Sequence, residues 1–231
     1  MAAFVAAAVT WLGYRAARKE RQSQVIVVRQ EKSVQGCEEL AAASRDFVHV
    51  VKKLPGVDFG ARKAILDEAF NAVRVAYNGV TFWGPPSVVS AADQLYACVE
   101  RSEGQALARA VARSALSDLM EHWCPGKEGV CDGNAEVCTS SRHWSAFRAY
   151  ELLYDWGFLD DYEQFDVREE LEYALVTSDV LTGAELTALR EVLNWGSVWR
   201  EVRGSETRAD HELRAALTAF VDGSRRELSV V

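Results

Sequence analysis

Residues 15–54 read RAARKERQSQVIVVRQEKSVQGCEELAAASRDFVHVVKKL, and their pattern decides the fold class. Val27, Val34, Cys37, Ala41, Val48 and Val51 return at helical intervals, while Arg, Lys, Glu and Gln fill the positions between them. This predicts one long helix ended by Pro55 and Gly56, with propensity lowered locally by the β-branched run Val25–Val28. The steps from Val27 to Val34, Ala41 and Val48 would suit a coiled coil with a second copy. Packing on the chain's own bundle explains so short a series as well, and more simply.

Directly before this stretch stands AAFVAAAVTWLGY, residues 2–14, an uncharged apolar run that meets Arg15, Arg18, Lys19 and Arg21. Secretory signals carry their positive charges ahead of the apolar core, so this order is the reverse of one. It fits a membrane anchor whose following chain stays on the cytoplasmic side, with Trp11 and Tyr14 at the level of an interfacial aromatic belt. As a helix the 13 residues extend ~20 Å, against a hydrocarbon core of about 30 Å. A full span therefore needs Arg15 to reach back toward the head groups along its aliphatic stem, or a true start upstream of Met1. Two alternatives stand beside the span. A helix lying in the interface fits less well, because the run is apolar on all sides; an ordinary buried helix suits a run of this length.

Beyond Gly56 helix signals follow one another. Asp58 is placed to cap a segment with an apolar face of Phe59, Ile65, Leu66, Ala69, Phe70, Val73 and Tyr77, which Gly79 should stop. Gly84-Pro85-Pro86 is the next break. Val88, Val89, Ala92, Leu95, Tyr96 and Val99 then begin a helix that Gly104 should weaken before Leu107, Val111, Leu119 and Trp123 continue it. Ser140 or Ser141 can cap a helix bearing Trp144, Phe147, Glu151 and Tyr154 and closed by Gly157. Asp166-x-x-Glu169 and Thr182-x-x-Glu185 have the spacing of capping boxes. A last helix is expected from about Ser205 to Phe220, with Leu213, Ala216, Leu217 and Phe220 inward. No strand-turn-strand pattern or repeat competes. The fold class is all-α: a helical bundle of about six or seven helices preceded by an N-terminal apolar helix, expected to be transmembrane. Along the chain this gives an anchor and basic flank over 1–21, a juxtamembrane helix over 22–54 and an acidic helical bundle over 55–231.

The 231 residues suffice for one compact body with a sizeable core besides the anchor. The net charge of −8 is unevenly spread: residues 1–53 hold nine Lys/Arg against five Asp/Glu, which leaves −12 for the remainder. The basic end suits anionic lipid, at about 1 kcal/mol per juxtamembrane Lys or Arg. An acidic body argues against nucleic-acid binding, which needs a basic surface to displace counterions from phosphate. The partners expected are a membrane and a protein, with no nucleic acid.

Chemistry-bearing residues concentrate in two places. Cys124, Cys131 and Cys138, with His122 and His143, could supply the soft ligands of a tetrahedral zinc site or form a thiol sensor. Both cysteine gaps are longer than a zinc knuckle uses, and on a cytoplasmic side all five cysteines, including Cys37 and Cys98, are expected free; an inverted topology would favour disulfides in the loop. The second place is the acidic, aromatic segment Tyr154–Glu172. Glu169 and Glu172 share a helical face there, open to a divalent cation or a basic partner, although a solvated face with capping acids is the commoner use. Trp144, Phe147, Tyr150, Tyr154, Trp156, Phe158, Tyr162 and Phe165 are expected mostly in the core, with a ligand pocket as the lesser alternative. No nucleophile elbow, phosphate loop, metalloprotease or dinucleotide motif occurs. No catalytic, cofactor-binding or metal residue is therefore assigned. A non-enzymatic interaction or scaffold protein is expected, with the Cys124/Cys131/Cys138 regulatory domain and a helical enzyme of unidentified substrate as the other classes.

The apolar N-terminal segment, the basic exit YRAARKERQ, the helix EELAAASRDFVHVV and the break and helix WGPPSVVSAADQL together resemble small membrane-anchored helical proteins of actinobacteria. The resemblance covers roughly residues 1–123 and implies an anchored helical protein without an assigned activity. It carries over no functional residue.

Overall fold

The computed structural model describes residues 2–123, 141–202 and 207–228, the side chains of 2–17, 141 and 197 excepted. Among these residues every regular element is helical: α1 (Ala2–Lys53), α2 (Arg62–Trp83), α3 (Pro86–His122), α4 (Ser141–Asp155), α5 (Asp161–Ser178), α6 (Gly183–Val192), α7 (Gly196–Val202) and α8 (Arg208–Leu228). Short 3-10 turns lie at Leu54–Gly56, Phe59–Ala61 and Trp156–Phe158. The chain is all-α, as its periodicity predicts. α1 is a single helix of 52 residues, so the apolar run, the basic cluster and the stretch after them are helical without a break. No helix among the described residues is long and apolar enough to cross a membrane.

The buried seam of α1 runs through Ser33, Cys37, Leu40, Ala41, Ser44 and Phe47. Val34, Val48 and Val51 are only half-buried and Val27 is exposed, because the larger Leu40 and Phe47 turn the helix away from the valine series.

The chain forms two compact units, Met1–Arg45 with Asn71–Ala97 and Ala215–Val231, and Asp46–Phe70 with Cys98–Arg214. In the first, Gly36 of α1 lies so close to α2 that an added Cβ would stand 3.4 Å from the backbone of Gly79 and Val80. Gly79 does not stop α2 as expected: an interior glycine costs only about 1 kcal/mol, and Val73, Ala76 and Val80 are buried around it. The stop comes at Gly84, whose N–H donates to Val80 O at 2.7 Å. Pro86 then opens α3, where its missing N–H leaves nothing unsatisfied. Tyr77 stacks on Tyr96 with ring centres 4.4 Å apart and donates to Asp93 at 2.7 Å, pinning α2 against α3 as a helical hairpin.

In the second unit α3 passes unbroken through Gly104. Nine of the eleven residues from Ala106 to Leu116 are buried, and their small side chains let neighbours approach from every side, which overrides the glycine's weak propensity. Around the end of this helix gather Leu119, Leu153, Trp156, Leu171, Leu175, Leu189 and Trp199. The indole N–H of Trp156 donates to Leu193 O and that of Trp199 to Val192 O, each at 2.9 Å. Both acceptors are carbonyls at the end of α6, where helical partners run out; Val192 O also accepts from the Trp195 N–H at 2.9 Å. A Cβ on Gly157 would sit 2.4 Å from the Trp199 carbonyl carbon, so only glycine lets this turn seat against α7. Two buried arginines complete the interior. Arg62 donates to Val57 O, Pro55 O and Ser114 Oγ, each at 3.0 Å, and Arg109 donates to Thr207 Oγ1 at 2.6 Å and Ser102 O at 3.1 Å, with Asp210 beside it.

Helix starts follow local hydrogen bonding. The box expected at Asp166-x-x-Glu169 forms instead at Asp160-x-x-Glu163, with both reciprocal bonds present. Leu159 is extended after the 3-10 turn, so the helix must restart at Asp160, which leaves Asp166 inside α5. The Thr182-x-x-Glu185 box forms as expected. Thr207 and Asp210 exchange the same pair of bonds at the start of α8, which runs on past Phe220 to Leu228. Leu213 and Phe220 are buried on it, while Ala216 and Leu217 are half-buried.

Candidate interaction surface

α5 has two apolar faces. Leu171, Ala174, Leu175 and Ser178 are buried on one, where α5 packs against α4. Tyr162, Phe165, Tyr173 and Val176 stand three, eleven and fourteen positions along from the first, which places them in one narrow arc on the opposite side. Their exposures are 74, 76, 71 and 58 %, and Phe158 in the turn just before them is 59 % exposed. Glu169 lies in the same arc.

This corrects the expectation that the aromatics from Trp144 to Phe165 are mostly core. Trp156 is buried, and Phe147 and Tyr150 are half-buried against Trp123, with ring centres 5.2 and 4.6 Å away. Trp144, Tyr154, Phe158, Tyr162 and Phe165 are exposed. The signal lay in the spacing: a helix with apolar residues on two opposite sides can bury only one of them against a single neighbour.

The carboxylates of the segment divide in the same way. Glu172 pairs with Arg190 at 2.6 Å, and Glu170 receives two bonds from Arg148 at 2.6 and 3.1 Å. Those bonds hold the Glu170 carboxyl below the usual carboxylate range. Asp160 and Glu163 are engaged in the cap. Asp161, Asp166 and Glu169 are exposed and make no ion pair among the described residues. Glu172 is thus turned to Arg190 and not free to join Glu169 around a cation, and the described residues contain no group of three acidic, His or Cys side chains that could hold a metal.

Cys124, Cys131 and Cys138 lie outside the described residues, as does Ser140. Of their proposed companions, His122 donates through Nδ1 to Asp118 O at 2.7 Å, and His143 is half-buried. Cys37 and Cys98 are free thiols. Burial pushes the Cys37 thiol up, away from the thiolate that nucleophilic chemistry needs. It lines a cleft of about 480 Å³ with Val34, Ala41, Phe220, Ser224 and Leu228, where no histidine stands to act as its base.

The counterpart of the acidic face lies on α1. Every residue from Arg18 to Arg29 is exposed, including Val25, Ile26, Val27 and Val28 at 66, 63, 52 and 50 %. This stretch of helix is basic, and every residue in it is exposed. Sequence reasoning found its charge but not its exposure, since β-branched residues at helical spacing look the same whether covered or bare.

No protein-family model matches the chain, and neither a curated protein nor a solved structure matches it.

Proposed function

We propose that this chain is a membrane-anchored, non-enzymatic interaction protein, held at the cytoplasmic face of a bilayer by the N-terminal part of α1 and docking a protein on the aromatic face of α5. The observation that carries the docking half is the exposed row Tyr162, Phe165, Tyr173 and Val176 among the unpaired acids Asp161, Asp166 and Glu169. Contiguous exposed aromatics rimmed by charge are what recognition surfaces present, and they tax solubility without giving stability in return. The membrane half is supported by the order of residues 2–21 and by their continuity with α1, which leaves no loop between the apolar run and the basic flank. The ~20 Å apolar length enters lipid to at least the depth of one leaflet, about half of a 30 Å core, with Arg15 at the level of the anionic head groups. The resemblance to small anchored helical proteins points the same way.

The test is flotation of the full chain with vesicles of phosphatidylcholine, alone and mixed with phosphatidylserine. The chain floats with both, more completely with the anionic mixture, and is released by detergent but not by high salt. Full-length protein recovered in the soluble fraction under all conditions contradicts the anchor.

A further inference from the structure

We propose that the aromatic face of α5 receives the Arg18–Arg29 stretch of α1 from a second copy of this chain, joining copies head to tail. The inference rests on α5 being a docking face and names its occupant. On α1, Arg18, Arg21, Val25, Val28 and Arg29 stand at positions i, i+3, i+7, i+10 and i+11, so they share one face with valines at its centre and arginines toward its ends. All five are exposed. The α5 face repeats those intervals: Glu169, Tyr173 and Val176 stand three, seven and ten positions along from Asp166, as Arg21, Val25 and Val28 do from Arg18, and Asp166 and Glu169 have no cationic partner among the described residues.

The lengths agree. Tyr162 to Val176 extends about 21 Å and Arg18 to Arg29 about 17 Å at the helical rise. The like-with-like pairings do not work: α1 on α1 would set Arg18, Arg21 and Arg29 against their own copies, and α5 on α5 would do the same with Asp166 and Glu169. Juxtaposed like charges oppose association. Pairing the two different faces sets Arg18 and Arg21 against Asp166 and Glu169 and covers Val25 and Val28 with Tyr173 and Val176. Because the two faces differ, the contact is heterologous, and each copy keeps one of each free for the next; such contacts continue into a ring or an open row. A row of copies fits a scaffold at a membrane surface.

The experiment is sedimentation velocity of the full chain in mild detergent over a range of concentration and salt. Three variants are compared with the wild type: Asp166→Lys with Glu169→Lys, Arg18→Glu with Arg21→Glu, and all four changes together. Wild type associates, less so as salt rises; each double reversal weakens association at least about tenfold, and the combined variant recovers most of it. Restoration by the fourfold variant also shows that the reversals leave the fold intact. A wild type that stays monomeric, or association that either reversal leaves unchanged, overturns the proposal, and so does failure of the combined variant to recover. Vesicle flotation of the wild type after detergent removal separates this result from the anchor: a monomer that still floats removes the second copy, whereas an associating chain that does not float removes the membrane.

Discussion

Trp156 and Phe158 lie two residues apart in one 3-10 turn and face opposite environments. Trp156 is fully buried, with its N–H on a helix-end carbonyl and its ring among the leucines of α3, α4, α5 and α6. Phe158 begins an aromatic row that continues along α5 in contact with solvent. The difference teaches that aromatic content in a helical protein has two separate uses. One side of this segment holds the second unit together, and the other faces solvent. The contrast predicts that substitutions on the two sides will differ in kind, with stability lost on one and recognition lost on the other.

The largest effect is expected at Trp156. Trp156→Ala removes one of the two largest buried side chains and the hydrogen bond to Leu193 O, and should lower unfolding free energy by roughly 3–5 kcal/mol in denaturant titrations. A loss below about 1 kcal/mol would break the comparison from the buried side. Next comes Gly157→Ala, where the added methyl meets the Trp199 backbone; displacement of α7 should cost about 1–3 kcal/mol, read as a lower thermal midpoint. A smaller loss, about 1–2 kcal/mol, is expected for Arg109→Met, which leaves Ser102 O and Thr207 Oγ1 without their donor.

The carboxylates repeat the contrast with the opposite sign. Burial first, and then Glu185 and Glu121, hold the Asp118 carboxyl above its usual range, with Arg62 and His122 opposing. A folded-state pKa above the unfolded one means that protonation favours the fold, so this contribution is present below the unfolded pKa and disappears as pH rises through the raised value. Asp118→Asn should therefore be more stable than wild type at neutral pH, and the gap should close as pH falls through the carboxylate range. The smallest effect on stability is expected from Tyr162→Ser with Phe165→Ser, within about 0.5 kcal/mol of wild type.

Much of this was legible in the sequence, and the failures have physical causes. The all-α class, the break at Gly84-Pro85-Pro86 and the Thr182–Glu185 cap follow from periodicity and local hydrogen bonding, which act over a few residues. Gly79 and Gly104 mislead because tertiary burial outweighs a propensity cost near 1 kcal/mol. Asp166–Glu169 misleads because spacing alone does not tell where the chain leaves an extended residue. The α5 face was visible as an acidic aromatic segment, but its exposure depends on which neighbours exist. A helix with two apolar sides does not announce which of them is covered. The same holds for Val25–Val28 on α1, whose exposure their spacing does not announce.

The central claim is that α5 serves stability with one face and recognition with the other, and urea unfolding of the full chain tests it most directly. Trp156→Ala and the paired Tyr162→Ser/Phe165→Ser variant are titrated beside the wild type. The account predicts a clearly lowered midpoint for the first and a midpoint and slope indistinguishable from wild type for the second. A paired variant that loses as much stability as Trp156→Ala would show that the aromatic row belongs to the core, and would contradict the account.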